Sequence, residues 1–301
     1  MEIYLPVAGV QISSYLLFGL GGVIGFLSGL FGVGGGFLTT PLLMTIGVPS
    51  AVAVASGTNQ IVGVSVSGTI RHSRAGNVDS KLGLIMLTGG LIGGAFGTDV
   101  VKVLRQLGNY DVILGLTYVV MLSGVGIFMF RESFNAMREK KSQPKAHRLM
   151  KMINKLPGKI FFPVSNTNCS FISLFALGFF IGFLTALMGV GGGFIMVPVM
   201  IYLLGIPTHI AIGTSLFTVI FTAANVTLAQ AIINKTIDIL LVLILLISSA
   251  VGAQLGARLS HLLKGEQLRL LFSIIVFGVM AKMFYDLLAT PASLVVLSGG
   301  P

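Results

Sequence analysis

The sequence predicts an all-α polytopic membrane protein built from two inverted four-segment repeats. Hydrophobic residues make up 54% of the 301 residues and charged residues only 9%, and the mean hydropathy is +0.98. Several apolar runs are long enough to cross a hydrocarbon core of roughly 30 Å. The glycine-rich run at 32–36 also occurs again, letter for letter, at 189–193.

The two glycine runs belong to a longer internal duplication. Other features recur at nearly the same spacing: Pro41 and Pro198, Gly57-Thr58 and Gly213-Thr214, Asp79 and Asp238, Gly93-x3-Gly97 and Gly252-x3-Gly256. Such self-similarity indicates a tandem duplication. We therefore divide the chain into a first membrane repeat (1–130), a basic cytoplasmic loop (131–168) and a second membrane repeat (169–301). The small-xxx-small pairs are typical of close helix packing.

Eight apolar segments are predicted, four in each repeat: 15–47, 51–70, 82–104, 111–130, 171–205, 209–233, 237–262 and 267–288. The first segment of each repeat is too long for one crossing, because at about 1.5 Å per residue it would extend roughly 50 Å. Each must break at its glycine run. The break is either a kink within a single crossing or the tip of a re-entrant hairpin.

The positive charges favour the hairpins. Nine other basic residues lie near the ends of the segments. If loop 131–168 is cytoplasmic, the hairpin topology places six of these nine on the cytoplasmic side, whereas kinked single crossings place four there. A repeat of one hairpin and three crossings crosses the membrane an odd number of times, so the second repeat has the opposite orientation to the first. Inverted repeats with interrupted segments at matching positions are typical of secondary transporters, whose site lies at the breaks. The alternative is that the glycines serve only close packing.

The net charge of +10 does not indicate a nucleic-acid partner, because nine of the nineteen Lys and Arg residues lie between Arg131 and Lys159. This cluster is typical of a membrane-surface loop. Within it, residues 145–156 form either an amphipathic helix on the inner leaflet or a solvated linker. We therefore expect the lipid bilayer as a partner. The sequence indicates no oligomeric state.

Polar groups in the segments predict an anionic substrate. Hydroxyls and amides are concentrated after each glycine run, whereas carboxylates lie at segment ends. Helices starting near Phe37 and Phe194 would present free N–H groups and partial positive charge to an anion. The predicted substrate-binding residues are Gly34, Gly35, Gly36, Thr39, Thr58, Asn59, Gln60, Gly191, Gly192, Gly193, Thr214 and Ser215. For any one Ser or Thr, the alternative is a hydrogen bond to its own helix.

Three residues at the end of the second segment, Arg71, His72 and Arg74, are predicted to guide anions at the cytoplasmic face. The alternative is that they only form a positive flank. No histidine has a metal-ligand partner at a useful spacing, so neither a metal nor a cofactor is expected. The apolar segments also lack a nucleophile–base set, so we do not expect an enzyme.

The motif Gly-Val-Gly-Gly-Gly-Phe followed by proline in both halves, with His72-Ser-Arg-Ala-Gly-Asn-Val-Asp79 after the second segment, resembles the sulfite exporter TauE/SafE family. The resemblance extends over residues 15–288. It implies an integral inner-membrane permease with two four-segment repeats. It also implies transport, usually outward, of sulfite, sulfonates such as sulfoacetate, or related sulfur oxyanions.

Together these observations predict a secondary transporter that exports a small sulfur-containing anion across the inner membrane by alternating access. No P-loop is present to couple ATP directly, so H⁺ or Na⁺ is a possible coupling ion. The alternative is a passive anion channel with the same half-helix site.

Overall fold

A computed structural model of the chain describes residues 2–31, 35–138, 157–260 and 265–288. The first half contains strands β1 (Glu2–Leu5) and β2 (Val10–Ser13), then helices α1 (Ser14–Phe31), α2 (Gly36–Thr45), α3 (Ser50–Arg74), α4 (Ser80–Gln106) and α5 (Tyr110–Arg138). The second half contains β3 (Lys159–Phe162) and β4 (Thr167–Ser170), then α6 (Phe171–Met188), α7 (Gly193–Tyr202), α8 (Thr208–Ala229), a π-helical turn (Gln230–Asn234), α9 (Ile239–Ser260) and α10 (Gly265–Leu288).

Two short antiparallel strand pairs precede the helices of the two halves. Leu5 pairs with Val10 in β1–β2, and Phe162 pairs with Thr167 in β3–β4. These strands were not predicted from the sequence. The β3–β4 pair and the end of α5 both lie within the predicted loop 131–168, and the possible amphipathic helix at 145–156 lies outside the described residues.

All eight predicted segments contain helix, but not all are apolar enough to span a membrane. Within the described ranges, seven helices meet that criterion: α1, α4, α5, α6, α8 with its π-helical turn, α9 and α10. Helix α3 does not, because Ser, Thr, Asn and Gln interrupt its apolar residues. Its first three turns are almost entirely buried, so other helices, and not lipid, surround its polar side chains.

Helices of the two halves pack against each other in matched pairs. Helix α1 packs along α9 and α4 along α6, while α5 contacts α10 and α3 contacts α8. If each helix is replaced by its counterpart in the other half, for example α1 by α6 and α9 by α4, the same set of pairs results. Glycines permit the closest contacts, since a methyl group on Gly93 would overlap the Phe179 carbonyl and one on Gly252 the Gly22 carbonyl. Gly97 and Gly256 also face backbone atoms of the partner helix, so the predicted packing role is confirmed.

Two apolar clusters show which helix ends lie together. The cluster at the β1–β2 end joins the first turn of α1, the last turn of α2 and the first turns of α3 and α9: Leu5, Leu17, Leu43, Val52, Leu241 and Leu245. The second cluster joins the corresponding ends of α6, α7, α8 and α4 and extends inward to Ile61 of α3; its members at the β3–β4 end include Phe162, Leu174, Met200, Ala211, Leu82 and Met86. Helices α2 and α7 therefore return toward the end from which α1 and α6 started, and the chain reverses direction at each break.

Asp79 and Asp238 each connect one half to the strand pair of the other. Asp79 caps α4 by accepting from Leu82 N at 3.2 Å, and it also accepts from Ser165 N at 3.2 Å and Ser165 Oγ at 3.0 Å. Asp238 accepts from Leu241 N at 3.3 Å and from Val7 N at 3.0 Å. Both carboxylates are buried. These bonds hold each strand pair against a helix start of the opposite half.

Replacing Asp79 by alanine is expected to lower the free energy of unfolding by about 2–3 kcal/mol, because it leaves buried donors of Leu82 and Ser165 unpaired. Thermal unfolding of the purified protein in detergent measures this loss. The control is Asp99→Ala on the same helix, where the residue is exposed. Equal melting temperatures for the two variants would contradict the capping role.

Candidate functional site at the paired helix breaks

The two short helices α2 and α7 meet at their N-terminal ends. The rings of Phe37 and Phe194, each the second residue of its helix, stack with centroids 5.5 Å apart and planes inclined by 23°. Both rings are buried. The first N–H groups of each ten-residue helix have no acceptor within the helix, and the helix dipole adds partial positive charge there.

Each short helix begins at a glycine in the left-handed region. Gly35 has φ 69° and Gly192 has φ 70°. Their carbonyls accept the first helical bonds, from Thr39 N at 3.2 Å and from Met196 N at 2.8 Å. A methyl group on Gly35 would lie 2.9 Å from Ser28 Cβ, and one on Gly192 would overlap Ile181. Both the backbone angle and the lack of space therefore require glycine.

Helix α3 crosses both breaks, and Ile61 fills the space between them. A methyl group on Gly36 would overlap Ile61 Cδ1, and one on Gly191 would come within 2.6 Å of the same atom. Ile61 is 1% exposed. One turn earlier on α3, a methyl group on Gly57 would lie 3.1 Å from the Gly189 carbonyl oxygen. The starts of both short helices thus pack against a single segment of α3.

Polar side chains surround the first break. Thr39 Oγ1 donates to Gln60 Oε1 at 2.6 Å and lies 3.2 Å from the Gly35 carbonyl. Ser28 packs against Gly35, and its buried hydroxyl has no hydrogen-bond partner among the described residues. An unpaired hydroxyl is unfavourable in a buried position, which makes Ser28 Oγ a group that a bound ligand could satisfy.

At the second break, side chains hold the terminal carbonyls of α6. Tyr118 Oη donates to the Met188 carbonyl at 2.7 Å, Thr40 Oγ1 to the same oxygen at 3.2 Å, and Tyr110 Oη to the Leu187 carbonyl at 3.0 Å. Gln230 Nε2 lies 3.3 Å from the Ala186 carbonyl. Helix termini otherwise leave these groups unsatisfied, so α2, α5 and the π-helical turn together fix where α6 ends.

We expect Tyr118→Phe to lower the free energy of unfolding by about 1 kcal/mol, since Met188 keeps the weaker Thr40 bond. Transport should fall as well, because α6 then ends less rigidly at the break. Melting temperature and flux in vesicles provide the two measurements. Tyr15→Phe is the matched control, because Tyr15 is 77% exposed. If Tyr118→Phe matched wild type in both measurements, the Tyr118 bond would have no role in holding the break.

Comparison with known proteins identifies the family. The family model described as sulfite exporter TauE/SafE matches residues 17–283. The chain belongs to the sulfite exporter TauE/SafE family. It is 27% identical to the probable membrane transporter protein YunE of Bacillus subtilis, with 91% of this chain and 98% of the relative covered. It is 29% identical to a probable membrane transporter protein of Xylella fastidiosa, with 87% and 91% covered. No solved structure gives a significant match.

This TauE/SafE-family protein is therefore a multi-pass membrane transporter. Of its predicted substrate-binding residues, the structure brings seven to the breaks: Gly35, Gly36, Thr39, Gln60, Gly191, Gly192 and Gly193. Gly34 lies outside the described residues. Thr58 and Asn59 lie on α3 beside the breaks, but Thr58 Oγ1 donates to the Val54 carbonyl and Asn59 Nδ2 to the Ala55 carbonyl.

Thr214 and Ser215 lie away from the breaks, near the β3–β4 end. Thr214 Oγ1 accepts from Asp79 N at 2.9 Å, and Ser215 Oγ donates to the Ile212 carbonyl at 2.9 Å. The polar residues of α8 face α4, as the contact of Thr218 Oγ1 with the Gly83 carbonyl shows. Helix α8, the counterpart of α3 in the second half, therefore does not cross both breaks as α3 does.

Arg71, His72 and Arg74 lie in the last turns of α3, toward the β3–β4 end. A methyl group on Gly213 would lie 3.0 Å from His72 Cβ, so His72 packs against α8. Arg74 is exposed. Their role in guiding anions stays a prediction.

Sequence reasoning missed Ile61, Ser28 and the two tyrosines. Tyr110 and Tyr118 carried a usable signal, because a phenol within an apolar helix needs an acceptor for its hydroxyl. Ser28 was one of many hydroxyls in small-residue helices. Ile61 is an ordinary apolar residue in sequence, and only its contacts with Gly36 and Gly191 distinguish it.

Proposed function

We propose that this protein is a secondary transporter that exports a small sulfur-containing anion, such as sulfite or a sulfonate like sulfoacetate, across the inner membrane by alternating access. The observation that carries the proposal is the meeting of the α2 and α7 starts at Phe37 and Phe194. Paired half-helix N-termini near the centre of a membrane protein are suited to anionic groups.

The neighbouring polar groups also favour an anion. Near the first break, the Gln60 amide and the Ser28 hydroxyl can donate to an oxyanion, while the Thr39 hydroxyl holds Gln60 in place through its Oε1 atom. The buried carboxylates in the described part of the chain, Asp79 and Asp238, cap helix starts near the two ends instead. A cation site would need acceptors at the breaks, and the Met188 and Leu187 carbonyls there already accept from Tyr118, Thr40 and Tyr110.

The contacts at the two ends support an inverted repeat with re-entrant hairpins. Each half begins at a different end, and its short helix returns toward that end. With the β3–β4 end in the cytoplasm, Arg74, Lys81 and Arg258 lie on the cytoplasmic side, whereas Lys102, Arg105 and Lys235 lie on the other. Arg105 contacts the Asn234 carbonyl, which places Lys235 beside it. This orientation agrees with the positive-inside rule for loop 131–168.

Flux assays with purified protein in proteoliposomes test the proposal. Sulfite, thiosulfate, sulfoacetate and taurine are supplied separately, with imposed proton, sodium or no cation gradients. At least one anion should cross faster than in vesicles carrying Gly192→Val, and a cation gradient should accumulate it above equilibrium. Flux that only follows the anion's own gradient would favour a channel with the same site. Equal flux through wild type and Gly192→Val for every anion would contradict the proposal.

A further inference from the structure

Ile61 occupies the position where the two helix starts would meet an anion. Its side chain lies against Gly36 at the start of α2 and against Gly191 just before α7. It is 1% exposed, and its neighbour Gln60 binds Thr39 of α2. An apolar side chain cannot replace the water around an ion, so an anion at these N–H groups requires Ile61 to move aside.

The face of α3 that carries Ile61 becomes polar toward the β3–β4 end. Ser65 and Thr69 follow one and two turns later on the same side of the helix. The Oγ atom of Ser65 and the Oγ1 atom of Thr69 are both buried, and neither finds a partner in the described part of the structure. Elsewhere on these helices such hydroxyls donate to a carbonyl one turn back, as Thr58, Thr98 and Thr117 do.

A buried hydroxyl without a hydrogen-bond partner costs free energy, and water or a polar ligand that reaches it removes this cost. The face ends at His72, which packs on Gly213 of α8 near the β3–β4 end. Leu216 of α8 also packs on Gly68 of α3, so α8 covers this face of α3. The polar face therefore connects the breaks to the β3–β4 end behind Ile61.

We propose that Ile61 is the hydrophobic gate of the anion pathway, separating the paired helix starts from a polar route along Ser65 and Thr69. This inference rests on the proposed transport function and adds the residue that controls passage. A constriction lined by an apolar side chain excludes water and hence ions until it widens. The volume of the side chain at position 61 then sets how well the closed state holds back small anions.

The test measures leakage of nitrate from proteoliposomes that contain an anion-sensitive dye, with no cation gradient imposed. Ile61→Ala should raise the nitrate leak at least about tenfold over wild type, because a smaller side chain leaves the constriction open to water. Ile61→Val, which removes one methyl group and disturbs folding less, should leak to an intermediate degree. Ile206→Ala is the control, since Ile206 is buried in the same apolar cluster as Ile61 but lies in the loop between α7 and α8, away from the helix starts.

Nitrate leakage does not depend on the identity of the transported sulfur anion, so the two proposals can fail separately. If Ile61→Ala leaks while wild type moves no sulfur anion, the gate stands and the proposed substrate is wrong. If both Ile61 variants are folded and hold nitrate as tightly as wild type, the gate is wrong. A leak of the same size from Ile206→Ala would also overturn it, because general loosening would then explain the effect.

Discussion

Replacement of Gly192 by valine should abolish anion transport while the protein still inserts into the membrane and folds. Gly192 has φ 70°, a conformation that costs a β-branched residue roughly 1–2 kcal/mol or more. Its new side chain would also collide with Ile181 and approach Thr185 of α6. The start of α7 must shift, so its N–H groups no longer face those of α2. The contacts of α1 with α9 and of α5 with α10 lie elsewhere, so the fold should persist.

Gly35→Val should behave in the same way, since Gly35 has φ 69° and faces Ser28. Flux in proteoliposomes gives transport, and size-exclusion profile with melting temperature gives folding. Gly108→Val is the matched control, because Gly108 also has a positive φ of 72° but has open space around it. The backbone strain is then equal and the collision absent. Wild-type flux in correctly folded Gly35 and Gly192 variants would exclude the breaks as the transport site.

Replacement of Gly25 by valine should prevent stable folding altogether. Gly25 lies on α1, where a methyl group would overlap the backbone carbonyl of Ser249 on α9. Neither backbone can yield without separating two helices along their length. The loss should exceed the 1–3 kcal/mol that is usual for overpacking a core. Little or no monodisperse protein should therefore be recovered after extraction.

The same helix supplies the control for this prediction. Gly19 lies on α1 with open space where a side chain would extend, so Gly19→Val should yield protein that melts close to wild type. Fluorescence-detected size exclusion in detergent compares the two variants directly. A stable, monodisperse Gly25→Val protein would show that α1 and α9 do not pack as closely as the contacts indicate.

The helical fold and the breaks could be predicted because they follow from strong local rules. Glycine runs within overlong apolar segments must interrupt a helix, and Gly93 and Gly252 occur at small-residue spacing that favours backbone contact. The strands β1–β4 could not be predicted, since four-residue pairs are stabilised by contacts with distant groups. Asp79 and Asp238, for example, bind the turns of strand pairs far away in the chain.

Only some residues of the candidate site could be predicted, for a related reason. Duplication identified Thr58 and Thr214 as equivalents, but equivalence in sequence does not determine what each residue contacts. Thr214 binds the backbone of Asp79 at one end, whereas Thr58 lies on the helix that crosses both breaks. The position of Ile61 between Gly36 and Gly191 depends on the packing of three helices. No pattern along the chain contains that information.

The crossed bonds of Asp79 and Asp238 make each half incomplete without the other. Each carboxylate needs donors that only the opposite half supplies, Ser165 for Asp79 and Val7 for Asp238. Two copies of one half-length chain, packed side by side in opposite orientations, could form the same pair of bonds between them. The contacts are thus those expected if an ancestral dimer of small proteins became a single chain by gene fusion.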